Sequence, residues 1–337
     1  MIDLEQETSM TDTSLRSVPV DPELVPIHRA VAGPDVPVLT AQTIASSRAA
    51  MIETWPSVAE MLGDLPIDVS EHLAPGPAGA PDIAITVLRP RNQAASPVPG
   101  FLNIHGGGMM VGHRTMDVPR LADLVMELGA VAATVEYRLA PEHPHPAPVE
   151  DCHAALVWFA ANASAFGIDP ARIVVMGGSA GGGLSAGVAL MARDRKSVDL
   201  AGQLLLCPMI DDRNVTVSSH QFVSETTWTR GTNELGWSSL LGAAKGTDAA
   251  SPYAAPTRAS DLSGLAPAYI EAGSAEVFRD ENVDYATRIW AVGGEAELHI
   301  WSGGFHGFDI YAPQTELTRA ALAARLSWLR RILGKRA

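Results

Sequence analysis

The chain has 337 residues, of which 47% are hydrophobic and 18% charged, and its formal net charge is −14. A chain of this length can bury a sizeable core, in one large α/β domain or in two ordinary ones. The acidic charge argues against nucleic acid and against an anionic membrane surface as partners, because both favour basic patches.

The N-terminus and the cysteines indicate the compartment. The first ten residues, MIDLEQETSM, are acidic and lack the basic region and apolar stretch of a secretory signal. No later run approaches the roughly eighteen apolar residues of a membrane span, so we expect no stable membrane insertion. Cys152 and Cys207 cannot build a disulfide framework and lack metal-type spacing. We interpret both as small buried hydrophobic residues in a reducing compartment, and we expect a cytoplasmic protein.

Residues 1–60 are predicted to form loosely connected helices ahead of the regular part of the chain. Within the stretch 41–62, AQTIASSRAAMIETWPSVAEML, apolar side chains recur at helix-like spacing. These side chains are Ile44, Met51, Ile52, Trp55, Val58 and Met61. A helix with such a face must bury it, so this segment is predicted to cover the mouth of a site in the following domain.

From about residue 67 onward, short β-rich runs alternate with helical stretches. The β-rich runs are DIAITVLRP, GFLNIHG, AVAATVEYR, RIVVMG, GQLLLCP, PAYIEAG and AELHIWSG. Helical spacing occupies DVPRLADLVMELG, PVEDCHAALVWFAANASAFG and DENVDYATRIWAVGG. This alternation predicts a mostly parallel sheet of about eight strands flanked by helices, in a domain spanning 61–337. Residues 213–250 interrupt the alternation and are predicted to be a cap insertion, which joins the 1–60 cap segment over the site.

The glycine-rich turn GGSAG at residues 177–181 carries the most specific signal. It fits the pattern G-x-S-x-G between the strand-like run RIVVM and a probable helix. Such a turn is so tight that its serine takes unfavourable backbone angles and its neighbours must be small. The overlapping run 181–186 also fits the loose nucleotide fingerprint G-x-G-x-x-A, but this match is weaker because it begins inside the expected helix. The position of the G-x-S-x-G turn between a strand and a helix predicts Ser179 as a nucleophile.

A reactive serine also needs a base and an orienting acid. Glu276 follows the run PAYIEAG and His306 follows the next β-rich run, so both stand just past strand ends, where open α/β sheets build their sites. Asp280 is the alternative acid. We assign it instead to the first turn of the next helix, where a carboxylate is favourable.

Donors for an oxyanion come from backbone N–H groups. The loop HGGG at residues 105–108 follows another β-rich run, and its bare N–H groups can point at a developing negative charge. The N–H of Ala180, directly after the nucleophile, is the remaining donor. His105 opens this loop and is predicted to brace it through hydrogen bonds.

Other polar and aromatic residues have ordinary explanations. His143, His145 and His153 are not completed by a Cys or carboxylate pattern, so we expect no metal site there. A buried polar network beneath the site is predicted for Tyr137, Arg138, Glu142 and Asp151. In the cap insertion, Trp228 and Trp237 fit either the core or the wall of an acyl pocket, and the sequence leaves both open.

Over roughly residues 80–330, the chain resembles the hormone-sensitive-lipase-like branch of bacterial esterases, family IV. The resemblance rests on the motifs above and on the stretches EYRLAPEHPHPAPVEDC, CPMIDDR, SPYAAP and AYIEAG followed by FRDE. The resemblance implies an α/β-hydrolase fold with a helical cap. It implies Ser179 as the nucleophile, Glu276 as the acid and His306 as the general base and acid. The oxyanion donors that it implies are Gly107, Gly108 and Ala180.

The sequence departs from the family pattern at three places. Gly178 precedes the nucleophile, where the family often has an acidic residue or Thr. Glu276 stands where an Asp is usual, although its longer side chain can still orient an imidazole. Met109 and Met110 follow HGGG where many relatives place a bulky aromatic, so we expect them to contact substrate and to shape the pocket.

We therefore expect a serine carboxylesterase that hydrolyses short- to medium-chain esters through an acyl-enzyme, with no cofactor and no metal. The expected partners are a small-molecule ester and a second copy of the chain in a homodimer. A lactone hydrolase with the same triad is the alternative within this class. From other classes, the alternatives are a non-catalytic ligand-binding protein on the same fold, which a competent triad disfavours, and a nucleotide-dependent oxidoreductase.

Overall fold

The structure, a computed structural model, describes residues 15–94 and 96–334. Within these residues, eight strands form one sheet. In chain order the strands are β1 (Ile67–Ala74), β2 (Ile83–Pro90), β3 (Val98–Ile104), β4 (Val131–Val135), β5 (Ile168–Gly178), β6 (Gly202–Leu206), β7 (Ala268–Ala275) and β8 (Ala296–Phe305). They lie in the order β1-β2-β4-β3-β5-β6-β7-β8. Strand β2 is antiparallel to both neighbours, and the remaining pairs are parallel. The mostly parallel sheet is confirmed.

Helices cover both faces of this sheet. Those of the described residues are α1 (Val25–Ala32), α2 (Ile44–Thr54), α3 (Val58–Leu62), α4 (Val118–Leu128), α5 (Ala147–Ala161), α6 (Ala180–Arg195), α7 (Val217–Gln221), α8 (Arg230–Leu241), α9 (Arg279–Ala291), α10 (Phe308–Tyr311) and α11 (Glu316–Gly334). Helices α4 and α11 share one apolar cluster with the sheet, and α5 and α6 share another. Helix α9 packs beside α6 on β6 and β7.

Strand β5 shows why the central strands form. Val174 and Met176 point to the cluster that contains α4 and α11, whereas Ile173 and Val175 point to the one that contains α5 and α6. Successive side chains alternate between faces, so a strand covered on both sides needs an unbroken apolar run. The run RIVVM meets that requirement, and it places the following turn at the edge of the sheet.

The parallel strands bring three separate parts of the chain to this edge. Ser179 directly follows β5, Glu276 directly follows β7 and His306 directly follows β8. Because β5, β6, β7 and β8 run in the same direction, their carboxyl ends lie on the same side of the sheet. The sheet topology therefore gathers side chains that are up to 127 residues apart in the sequence.

The predicted helix over residues 41–62 is wrong in one respect, because the structure has two helices there. Helix α2 ends at Thr54, ahead of Pro56, and Ser57 then caps α3 by a reciprocal pair of hydrogen bonds with Glu60. The two helices do not share one apolar face. Ile52 is 68% exposed, whereas Val58 packs on the cluster beneath α4.

Outside the central strands, the structure contains an edge strand and the helices of the insertion. Strand β1, IDVSEHLA, is an edge strand whose polar side chains gave no clear β-rich run. Residues 213–250 contain α7 and α8. None of the described helices is long and apolar enough to cross a membrane. The first ten residues, judged above for a secretory signal, lie outside the described residues.

Candidate active site

The turn between β5 and α6 holds Ser179 in a conformation that few L-residues adopt. Its backbone angles are φ 57° and ψ −122°, a strained region that persists only when the surroundings enforce it. A Cβ at Gly177 would lie 2.5 Å from backbone atoms of Gly181, and a Cβ at Gly181 would lie 1.9 Å from the carbonyl oxygen of Ile104. Both flanking positions therefore require glycine, which accounts for the pattern G-x-S-x-G.

Ser179, His306 and Glu276 form one hydrogen-bonded chain. The Nε2 of His306 lies 3.0 Å from the serine Oγ, and the Nδ1 lies 2.5 Å from Oε2 of Glu276. The other carboxylate oxygen of Glu276 accepts the backbone N–H of Gly273 at 2.6 Å. Glu276 is fully buried and His306 is 9% exposed. This arrangement can take a proton from the serine and stabilise the resulting imidazolium.

The surroundings of His306 favour its protonated form. Burial by itself would lower the pKa of this imidazole, since it disfavours the charged form. The neighbouring Cys207 sulfur and the Glu276 carboxylate outweigh burial, so the pKa of His306 lies well above its ordinary value of 6.5. The imidazole therefore becomes a free base at a higher pH than an ordinary histidine.

The HGGG loop presents backbone N–H groups beside the serine. Gly107 and Gly108 have φ of 106° and 62°, in the left-handed region that glycine tolerates. The Gly107 carbonyl accepts the N–H groups of Met110 and Val111, which closes the loop on itself. In the described part of the chain, no acceptor receives the N–H of Gly107 or Gly108. These groups are free to bind an oxyanion.

The N–H of Ala180 completes the candidate oxyanion site. Ala180 is the first residue of α6, and the first N–H groups of a helix have no partner within it. The helix dipole adds a partial positive charge at the same place. The fully buried run 181–186 also lies inside α6, so it forms no phosphate-binding loop, and the nucleotide-fingerprint alternative is wrong.

His105 braces the HGGG loop. Its ring stacks on Tyr137 with centroids 4.2 Å apart, and its Nδ1 lies 2.8 Å from the carbonyl oxygen of Gly106. The Tyr137 hydroxyl donates to the His105 carbonyl at 2.9 Å. His105 has no exposed surface, in agreement with the bracing role that we predicted.

A cavity of about 880 Å³ opens at Ser179 and His306. Eight residues of the stretch 31–39, together with Met51, form one wall. A second wall comes from residues 223–232, which include Trp228, and the HGGG loop and the ends of β5 and β6 contribute to the lining beside Ser179. Both segments outside the regular alternation therefore border the space above the serine.

Comparison with known proteins identifies the family. A family model described as alpha/beta hydrolase fold, Abhydrolase_3, matches residues 101–310, which is more than half of the chain. The chain belongs to this family. The match begins inside β3, ahead of the HGGG loop, and ends after His306. It therefore includes the triad, the HGGG loop and the wall of residues 223–232, but not the wall formed by the stretch 31–39 and Met51.

Several named relatives of this α/β hydrolase are ester hydrolases. The carboxylic ester hydrolase LipN of Mycobacterium tuberculosis is 36% identical over 248 residues, which cover 72% of this chain and 64% of LipN. The carboxylesterase NlhH of the same species is 32% identical over 296 residues, 86% of this chain and 89% of NlhH. A bacterial heroin esterase structure matches with a TM-score of 0.85 at 40% identity, covering 93% of this chain and 98% of its own. The α/β hydrolase is accordingly a carboxylic ester hydrolase.

Met109 and Met110 do not lie where the sequence suggested. Both side chains are completely buried in the core, and neither lines the cavity. The turn of the HGGG loop causes this, because Met109 takes a φ of 60° and directs the chain back into the domain. Trp228 occupies the corresponding space, and its ring lies 2.2 Å from the position of a Cβ on Gly108. Trp237 is fully buried and does not line the cavity.

Asp280 lies in the first turn of α9, as expected, and does not contact His306. Its carboxylate accepts the backbone N–H of Ser218 at 2.7 Å and the Nε of Arg279 at 2.7 Å. Asp280 therefore connects α7 of the insertion to α9, and its role is structural.

The predicted polar network beneath the site is two separate pairs. Asp151 accepts two hydrogen bonds from the Arg138 side chain, at 2.8 and 2.6 Å, and is buried. Glu142 pairs instead with Arg48 of α2, and its side chain is 52% exposed. Glu142 thus fastens the N-terminal segment to the domain.

Cys207 is a residue of the site that the sequence analysis misplaced. Cys152 is buried in the core, as interpreted, but Cys207 is partly exposed and lines the cavity. It follows β6 as Ser179 follows β5, and this shared position at strand ends was the available signal. Burial raises the pKa of the Cys207 thiol above its ordinary value. Within the described residues, Cys207, Glu276 and His306 make the one trio of potential metal ligands, and it coincides with the serine's own base and acid.

A buried ionic cluster supports the loop that carries His306. Asp309, three residues later, accepts a hydrogen bond from Arg325 of α11 at 2.7 Å and one from Arg120 of α4 at 3.1 Å. Arg325 also pairs with Glu271 of β7, the strand that leads to Glu276. The cluster therefore joins the two elements that carry the imidazole and its acid. Sequence spacing alone gave no sign of it.

Proposed function

We propose that the protein is a serine carboxylesterase that uses Ser179 as its nucleophile and forms an acyl-enzyme. The observation that carries this proposal is the hydrogen-bonded chain from Ser179 through His306 to Glu276, at the floor of a cavity and beside unpaired backbone N–H groups. A serine hydroxyl is a weak nucleophile unless an adjacent base takes its proton. The geometry supplies that base within hydrogen-bonding distance.

The reaction would proceed in two half-reactions. Ser179 Oγ attacks the ester carbonyl carbon while its proton passes to Nε2 of His306. The N–H groups of Gly107, Gly108 and Ala180 stabilise the oxyanion. Collapse of the tetrahedral intermediate breaks the bond to the alcohol oxygen, which takes the proton from His306. Water then attacks the acyl carbon of the acyl-enzyme while His306 accepts its proton. The bond to Ser179 Oγ breaks, Oγ takes the proton back, and the carboxylic acid and free serine result.

Cavity size supports small and medium substrates. Small-molecule sites commonly occupy about 300 to 1,000 Å³, and the cavity of about 880 Å³ lies within that range. Its walls include the partly exposed apolar side chains of Val36, Val38 and Val223. We propose that the stretch 31–39 and residues 223–232 act as the cap, and that the wall they form accepts short to medium acyl chains.

An ester panel tests this function. Initial rates are measured for p-nitrophenyl esters from acetate to laurate and for several lactones of matched size, each with wild type and with Ser179→Ala. We expect ester hydrolysis that peaks at a short or medium chain and that disappears in the variant. Preference for lactones would assign the same triad to cyclic esters. Retained hydrolysis in Ser179→Ala would reject the serine mechanism.

Location and assembly are part of the same proposal. Both cysteines are free, which supports a reducing compartment such as the cytoplasm. We also propose a homodimer, and sedimentation velocity across a range of concentrations tests it. A single species of 35.5 kDa at every concentration would reject it.

A further inference from the structure

The cavity continues past the residue before the nucleophile. Gly178 and Arg120 both line it, together with Met116, Asp117, Leu206 and Asp309. A Cβ at Gly178 would have the Arg120 Nη1 as its nearest neighbour, at 3.6 Å, so this position has room for a side chain that glycine leaves out. In contrast to Gly177 and Gly181, backbone crowding does not require glycine here. The absent side chain opens a branch of the cavity directly beside Ser179.

Arg120 faces this branch with unused hydrogen-bond donors. Its Nη1 donates to Asp117 at 2.8 Å and its Nη2 donates to Asp309 at 3.1 Å. A guanidinium has five N–H donors. In the described part of the structure, the Nε and the second N–H of each terminal nitrogen have no protein acceptor. The side chain keeps 14% of its surface exposed, and the cavity is the space that it lines.

The charges around the branch decide which acceptor fits. Arg120 and Arg325 face three carboxylates, those of Asp117, Asp309 and Glu271. The cluster therefore has no positive charge left over for an anion. A neutral oxygen, as in an ether, hydroxyl or carbonyl group, can accept from the free N–H donors without repulsion by the carboxylates.

We propose that Arg120 is a substrate-binding residue that donates to a neutral oxygen atom in the acyl or the alcohol part of the ester. Gly178 keeps the path to it open. This inference rests on the proposed esterase function, and it makes the enzyme selective for oxygen-containing esters over their hydrocarbon analogues. The fixed position of the guanidinium, held by two carboxylates, gives the interaction its direction.

Two pairs of isosteric esters test the proposal. The acyl pair is p-nitrophenyl methoxyacetate and p-nitrophenyl butyrate, and the alcohol pair is 2-methoxyethyl acetate and butyl acetate. For each pair, the kcat/KM ratio of oxygen ester to carbon ester is divided by the ratio of the uncatalysed hydroxide rates. We expect a corrected ratio of about tenfold or more in one pair, the gain typical of a hydrogen bond to a charged donor. The pair that responds shows which part of the substrate occupies the branch.

Variants at Gly178 test whether the oxygen atom reaches Arg120 through this branch. Gly178→Asp places a carboxylate beside Arg120, occupies the branch and should reduce the corrected ratio to near one. Gly178→Ala adds only a Cβ with ordinary contacts and should retain most of the ratio. If the Asp variant does not fold, Gly178→Thr fills the same space without adding charge and should reduce the ratio in the same way.

The possible results separate this inference from the esterase proposal. Corrected ratios near one in both wild-type pairs, or a ratio unchanged in both Gly178→Asp and Gly178→Thr, would overturn the role of Arg120. Preference for p-nitrophenyl hemisuccinate over both acyl esters would overturn the neutral acceptor. Ser179→Ala is measured on the same four esters. Its loss of activity supports the serine mechanism whatever the ratios are, and retained activity rejects that mechanism.

Discussion

The carboxylate of Glu276 lies 2.5 Å from the Nδ1 of His306 and also accepts the backbone N–H of Gly273. The hydrogen bond from Gly273, near the end of β7, holds Oε1 of Glu276 in place. This contact restricts the glutamate side chain, which is one methylene longer than an aspartate. A longer acid can thus hold the imidazole as firmly as a shorter one.

Ser179→Ala should abolish ester hydrolysis. Removal of a triad nucleophile typically costs several orders of magnitude in kcat, because the remaining triad residues act only through it. The measurement is kcat with p-nitrophenyl acetate, with circular dichroism as a check on folding. Turnover above about a hundredth of the wild-type value would show that another residue is the nucleophile.

Glu276→Gln should lower kcat by roughly 10³- to 10⁴-fold, because an amide cannot stabilise the imidazolium and favours the wrong tautomer. Asp280→Asn is the matched control. Asp280 joins α7 to α9 and does not touch His306, so its loss should affect thermal stability more than kcat. The reverse ranking of the two variants in kcat would assign the acid to Asp280.

The acidic limb of the pH profile should lie at higher pH than the limb of an ordinary histidine. Only the free imidazole can accept the serine proton, and the pKa of His306 lies well above 6.5, so kcat/KM should increase as pH passes through that raised pKa. Glu276→Gln removes a negative charge that raises this pKa. The acidic limb of the Glu276→Gln profile should therefore move to lower pH. The plateau of kcat/KM in this variant should also be lower than in the wild type. An unshifted limb would mean that a different group controls the profile.

Asp309→Asn should destabilise the fold by about 3 kcal/mol at neutral pH, since it leaves two buried guanidinium groups short of a partner. Burial would raise the pKa of Asp309, but Arg325 and Arg120 outweigh it and hold that pKa far below its ordinary value of 3.8. A depressed pKa stabilises the folded state above the unfolded-state pKa and loses this effect as pH falls below it. The difference between variant and wild type should therefore shrink below about pH 4.

Urea unfolding at pH 7 and pH 3 measures this difference. Glu297→Gln is the control. Glu297 of β8 pairs at 2.6 Å with Arg331, which lies in α11 like Arg325 but is 55% exposed. An exposed ion pair contributes about 1 kcal/mol or less. Equal losses in the two variants would contradict a special role for the buried cluster.

Val38→Ser should reduce kcat/KM for p-nitrophenyl octanoate more than for the acetate. Val38 is 56% exposed and lines the cavity wall formed by the stretch 31–39. We expect the far end of a longer acyl chain to contact it. Binding energy from the remote part of a substrate is lost when such a wall becomes polar. Val283→Ser provides the control, since Val283 is an exposed valine of α9 away from the cavity. Equal losses on both esters would remove Val38 from the acyl pocket.

The sequence by itself determined the sheet and the candidate triad. Unbroken apolar runs such as RIVVM are required for strands covered on both faces, so they predicted the central strands well. Ser179, Glu276 and His306 could be named because each lies just past a β-rich run, and parallel strands place their carboxyl ends together. The glycines at 177 and 181 were equally predictable, because the turn leaves no space for a side chain.

Only the tertiary structure decided what surrounds these residues. Met109 and Met110 were expected at the substrate and lie in the core, since a single left-handed residue turns the chain inward. Arg120 and Asp309 reach the cavity from distant elements, and their distances are set by helix packing that no local pattern encodes. The space beside Gly178 is likewise a property of the packed structure, because a glycine in a sequence does not show whether its missing side chain would meet backbone or open cavity.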